Sequence, residues 1–185
     1  VILPLPCILA ILDAHLAKHL TTLINNLAGG IGPGFFEAAR AGRQILDLTH
    51  PLTLVLEKGG DLHNRAAVAQ ADVRQYYDNL RPLLIFRWLL RKGAGLDICI
   101  TFLRLHCLPQ IKVAVGQSEC TITRRSIGVL TGTRTVAAAG RIPLMDLAER
   151  RLQTWKQLAF STPSVSCCLG TFVDNLFSTG TDTHS

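Results

Sequence analysis

Apolar residues recur at helical spacing through "CILAILDAHLAKHLTTLINNL", residues 7–27, and the pattern stops at "AGGIGPG", where glycine and proline end a helix and open a loop. A second helix is expected from about Glu37 to Lys58, bent at Pro51. "RAAVAQADVRQYYDNL" holds a short strand over Ala67 to Val73 that runs out into a polar turn. Helical spacing returns between Leu80 and Cys107 and is interrupted at "KGAG", which predicts two helices. "IKVAVGQSECTITRR" alternates apolar and polar positions on both sides of "GQS", the pattern of a β-hairpin. A third helical region, "TVAAAGRIPLMDLAERRLQTWKQLAF", precedes "VSCCLGTFVDNLFSTG", a second hairpin with Asp174 and Asn175 at its tip. The pattern is that of an α/β (α+β) chain with no internal repeat.

The length of 185 residues suits one domain with a real core, or part of a larger one. The chain opens on Val1 and reads as a piece of a longer protein. It is 48% hydrophobic and 17% charged, yet apolar runs such as "PLLIFRWLL" are too short for a bilayer, so neither a membrane span nor a leader is expected. The six cysteines show neither paired zinc spacing nor the density of a disulfide scaffold, which predicts reduced, mostly buried thiols in an intracellular compartment. His15, His63 and His106 have no partner at metal-ligand spacing and read as surface or core residues. Glu149, Arg150 and Arg151 read as the solvent face of a helix.

Charge changes the picture more than composition does. The net charge of +6 lies wholly between Arg81 and Arg125, because the remaining basic and acidic residues balance. A basic middle suits contact with phosphate backbones, and a solvated helix face has the same appearance.

Candidate chemistry sits at strand ends. Asp72 closes the apolar strand in "ADVRQYYDNL" and is followed by the aromatic Tyr77 and a second acid, Asp78. "RRSIGVLTG" follows the first hairpin and carries Gly128 and Gly132, and "TFVDNLF" places an aromatic residue two positions before Asp174-Asn175. Upstream, "GFFEAARAGRQILDLTHPLTLVLEKGG" has a Gly-Phe and a Gly-Arg before a helix ending in Glu57-Lys58. In this order the motifs resemble those of reverse transcriptases, in particular of retroelements without long terminal repeats and of group II introns. Asn175 stands where that family carries a second Asp, and Thr131-Gly132-Thr133-Arg134 replaces its usual Gln-Gly sequence.

The resemblance implies a right-hand polymerase fold: partial fingers and fingers-to-palm helices over residues 1–66, then a palm over 67–185 with an antiparallel sheet packed on helices, the thumb lying outside the chain. It implies RNA-templated DNA synthesis, with an RNA template, a DNA primer and deoxynucleoside triphosphates as partners and a nuclear or cytoplasmic location. Asp72 and Asp174, with the Val73 carbonyl, would hold Mg²⁺ or Mn²⁺, and Asn175 would stand beside them. Two carboxylates suit such an ion, which takes hard oxygen ligands and shares its remaining positions with waters and substrate phosphates. Tyr77 would lie under the sugar and exclude a 2′ hydroxyl, or be a half-buried strand aromatic. Gly128, Thr131 and Gly132 would let backbone approach the nucleotide. Arg124 and Arg125 would hold nucleic-acid phosphates, or form a solvated strand end. The alternative is a decayed remnant that keeps the fold and the basic surface and acts at most as a nucleic-acid-binding module.

Overall fold

The computed structural model describes residues 6–32, 34–40, 42–61, 66–122, 126–157, 159 and 168–181, and mixes helices and strands along the chain. They are α1 (Cys7–Gly29), β1 (Phe35–Glu37), α2 (Ile45–Asp61), β2 (Ala66–Asp72), α3 (Tyr76–Asn79), α4 (Pro82–Arg91), α5 (Leu96–Cys107), β3 (Ile111–Val115), β4 (Ser118–Ile122), α6 (Arg134–Ala139), α7 (Ile142–Lys156), β5 (Leu169–Phe172) and β6 (Asn175–Thr181). The chain divides into two compact units, residues 1–24 with 75–142 and residues 25–74 with 143–185.

In the second unit a four-stranded sheet has the order β1-β5-β6-β2. β5–β6 and β6–β2 are antiparallel, whereas β1 lies parallel to β5. The sheet is therefore mixed, a correction to the wholly antiparallel one expected. Its two faces separate by the two-residue period of the strands. Leu169 and Leu176 pack with Ala148 and Leu152 of α7. Phe172, Phe177 and Val68 pack with Leu48 and Leu52 of α2. Gly170 is what allows α2 to lie so close, since a Cβ there would run into the Leu48 δ-methyls.

The helix expected from Glu37 begins only at Ile45. Phe35–Glu37 instead extend the sheet as β1, with Gly42 at φ +80° in the connection, and the Asp47 carboxylate accepts from the Gln44 N–H at 2.9 Å to start α2. Pro51 lies inside α2, as expected.

The first unit is helical. α4 buries Ile85, Trp88 and Leu89, and α5 buries Cys99, Phe102, Leu105 and His106, each set on one helical face. α4 ends at "KGAG" because Gly93 adopts φ +79° and the Ala94 N–H reaches back to the Leu89 carbonyl, which satisfies carbonyls the helix would otherwise leave open. β3 and β4 form a separate two-stranded ribbon.

By length and composition α1 is apolar enough to cross a membrane. It holds no long uninterrupted apolar run, because its polar residues are spread among the apolar ones. The five described cysteines are free thiols; Cys99 and Cys168 are buried, but Cys7 and Cys120 are exposed, so the expectation of mostly buried thiols is corrected. Burial pushes the Cys99 and Cys168 thiols above their ordinary value. Cys167 and His63 lie outside the described residues.

Candidate functional site

The end of β2 meets the start of β6, where Asp72 pairs directly with Asn175, and across the neighbouring ladder Asn175 pairs with Phe172. Only Val173 and Asp174 remain to turn the chain, so the expected Asp-Asn tip is a Val-Asp turn with Asn175 as the first residue of β6. Positions 72 and 174 are thereby neighbours at one end of one sheet. Asp72 is exposed and Asp174 half-buried.

The turn is strained. Val173 has φ 57°, the left-handed region that a β-branched side chain strongly disfavours, and Asp174 does not share it. A positive angle at the first turn residue alone is the sign pattern of a type II′ hairpin turn, where glycine is the ordinary choice.

Hydrogen bonds tie this end of the sheet together. The Gln70 Nε2 donates to the Asn175 Oδ1 at 3.1 Å, and the Asn175 Nδ2 donates to the Asp174 Oδ1 at 3.2 Å. Gln70, Asp72 and Asn175 share the α2 face by register: Gln70 and Asp72 are two apart on β2, and Asn175 sits opposite Asp72. Val73 follows the last paired residue of β2 and is exposed. Among the described residues no group of three His, Cys, Asp or Glu side chains converges. This end of the sheet carries the two carboxylates of Asp72 and Asp174, the hard-oxygen type of donor that small divalent cations take, while the Asn175 amide oxygen is taken by the Gln70 Nε2.

The other candidate residues belong to the first unit, where two of the motifs are stitched together by backbone. The Gly128 N–H donates to the Leu80 carbonyl at 2.6 Å and the Val129 N–H to the Tyr77 carbonyl at 3.1 Å. Gly128 has φ +84°, and a Cβ there would lie 3.1 Å from the Asp78 carbonyl oxygen, so glycine is required on two counts. Tyr77 is half-buried on the single turn of α3, not on a strand; it stacks edge-on against Tyr76, whose hydroxyl donates to the Gly140 carbonyl. The Tyr77 ring lies so close to Gly140 that an added Cβ would sit 2.9 Å from its Cε1. Thr131 is half-exposed and Gly132, at φ +101°, exposed. Arg124 and Arg125 lie outside the described residues. Of the other basic residues of the middle segment, Arg81, Arg87, Arg91, Arg104 and Lys112 are exposed and Lys92 is half-buried.

Of three residues of structural weight, Asp13 and Gln70 escaped the sequence reading, while His106, read as a surface or core residue, is a buried core one. Asp13, only 2% exposed, accepts from the Arg134 N–H at 2.6 Å, the Thr135 N–H at 3.1 Å and the Thr135 hydroxyl at 2.7 Å, capping α6 from a different helix. His106 accepts from the Leu130 N–H through Nδ1 at 3.1 Å and meets Thr135 Oγ1 through Nε2 at 3.1 Å, which fixes the tautomer with its proton on Nε2. Together they hold the Gly128–Gly132 loop between α5 and α6. Their signal was a single charged or polar residue inside an apolar helix, a placement tolerated only with a partner. The third is Gln70, whose signal was its place two residues before Asp72 on the same strand face.

The α/β (α+β) part of the fold expectation stands, and the sheet is mixed where an antiparallel one was expected. Compared with known protein families and curated proteins, the chain matches no family model and no curated sequence.

Proposed function

We propose that this chain is the fingers-palm portion of a reverse transcriptase of the retroelement type, and that it performs RNA-templated DNA synthesis. The observation that carries the reading is the β2–β6 register, which brings Asp72 beside the Asp174 turn although 102 positions separate them in sequence. A primer 3′ hydroxyl would attack the α-phosphate of a deoxynucleoside triphosphate, form the new phosphodiester bond and release pyrophosphate. Mg²⁺ or Mn²⁺, when bound, would stabilise the attacking and leaving oxygens. Asp72 and Asp174 supply the charged oxygens for that role, and the Val73 carbonyl follows Asp72 as a further donor. Tyr77, Gly128, Thr131 and Gly132 make up a second assembly, which in the resembled family faces the incoming nucleotide. The exposed basic residues of 81–112 suit the phosphates of template and primer.

Primer extension on an RNA template tests this. Extension with Mg²⁺ or Mn²⁺ is expected from the parent, and Asp72→Ala or Asp174→Ala should abolish it, a loss of at least roughly a hundredfold. Tyr77→Ala should admit ribonucleotides.

A second reading has one observation in its favour. Asn175 leaves the site with two carboxylates where the family has three, and its amide is already engaged by Gln70 and Asp174. On that reading the chain binds nucleic acid without catalysis, and the parent would show salt-dependent RNA binding but no extension.

A further inference from the structure

From the hydrogen bonds around Asn175 we infer that Gln70 is a positioning residue for the metal site, acting on Asp174 through Asn175. The inference rests on the proposed metal-binding role of Asp72 and Asp174.

A side-chain amide can face either way, and here its partners decide. Gln70 presents an Nε2 donor to Asn175, at 3.1 Å, so the Asn175 oxygen turns toward β2 and its Nδ2 toward the turn. That nitrogen then donates to one oxygen of Asp174 at 3.2 Å. Reversing the Asn175 amide would set its Oδ1 against the Asp174 carboxylate, which cannot donate, so Asp174 fixes the orientation. The Gln70 Nε2 anchors the Asn175 oxygen in that orientation, which keeps Nδ2 on the Asp174 Oδ1 and leaves Oδ2 for an ion.

Asn175 is more than a missing charge on this account. An Asp at this position would meet the Asp174 carboxylate directly and could hold it only by sharing a cation. The amide removes that repulsion and holds Asp174 in place before any ion arrives. Ligand carboxylates are ordinarily oriented in this way by hydrogen-bonded neighbours. Gln70 itself touches no ion; its effect passes through Asn175.

The test is Mn²⁺ binding, read as the loss of the free-ion electron paramagnetic resonance signal on titration. Parent protein is compared with Gln70→Met, Asn175→Ala and the double variant. Gln70→Met keeps side-chain length and removes the donor. It should weaken Mn²⁺ binding roughly three- to tenfold, the scale of one lost hydrogen bond. Asn175→Ala should weaken it by at least as much, and the double variant should be no weaker than Asn175→Ala alone. Urea midpoints should stay within error across the set, which separates positioning from folding. Binding by Gln70→Met equal to the parent's, or losses that simply add in the double variant, would overturn the role of Gln70 while leaving the metal site intact. Parent binding unaffected by Asp72→Ala would remove the metal site itself, and the positioning role with it.

Discussion

Asp13 and Asp72 are the same side chain put to opposite uses. Asp13 is buried, and its two oxygens take up two backbone N–H groups and a hydroxyl at the start of α6. Asp72 is exposed at the end of β2, opposite an amide and next to a second carboxylate at the strained Val173-Asp174 turn. One carboxylate is saturated by its own chain and belongs to the fold. The other is exposed at a strand end whose register neighbours the turn that carries Asp174. The difference teaches that a carboxylate's role is read from how fully the protein satisfies it, since residue type is no guide.

Stability measurements separate the two most sharply. Asp13→Ala orphans two N–H groups of α6 and leaves the Thr135 hydroxyl only its bonds to Thr133 and His106, and should lower the free energy of unfolding by roughly 2–4 kcal/mol in urea. Asp72→Ala removes an exposed carboxylate and should change it by no more than about 0.5 kcal/mol. Equal losses for the two would erase the distinction.

His106 belongs with Asp13. His106→Ala leaves the Leu130 N–H buried without its acceptor and opens a cavity beside Phe102, with which the imidazole packs at 4.5 Å between ring centroids. A loss of roughly 2–3 kcal/mol is expected. At the sheet end the residue to compare is Val173. Val173→Gly relieves the positive φ and should raise stability by roughly 0.5–1 kcal/mol while weakening Mn²⁺ binding, because a looser turn holds Asp174 less firmly. A gain in both properties would show that the strain has no part in the site.

Thiol chemistry gives the smallest effect on the fold. At pH 8 the exposed Cys7 and Cys120 should be alkylated by iodoacetamide well before Cys99 and Cys168, whose thiols are buried and held protonated to higher pH. Any stability carried by the two buried thiols is complete below the ordinary value of 9.0 and is lost as pH rises through their raised values. Parallel rates at all four would contradict the packing of α5 and of the β5 entrance.

Much of this was legible in the sequence, for physical reasons. Amphipathic spacing marked α4 and α5, the glycine-bearing "KGAG" marked the break between them, and alternation marked the β3–β4 and β5–β6 hairpins. The pairing of Asp72 with the Asp174 turn was open to expectation only through resemblance, because nothing in local pattern relates strands 102 positions apart. β1 was missed because Phe35-Phe36-Glu37 is three residues long and gains its strand character from parallel pairing with β5, a tertiary effect. Asp13 and Gln70 were missed because their partners lie 121 and 105 positions away, and hydrogen bonds of that span leave no periodic trace.

The most direct test of the central claim is an anomalous difference map from crystals of this chain soaked in Mn²⁺. A peak is expected at the β2–β6 end of the sheet, contacting carboxylate oxygens of both Asp72 and Asp174 at roughly the 2.1 Å that a small divalent ion takes to oxygen. Mn²⁺ bound elsewhere while this end of the sheet stays empty, or a peak that persists in Asp174→Ala, would contradict it.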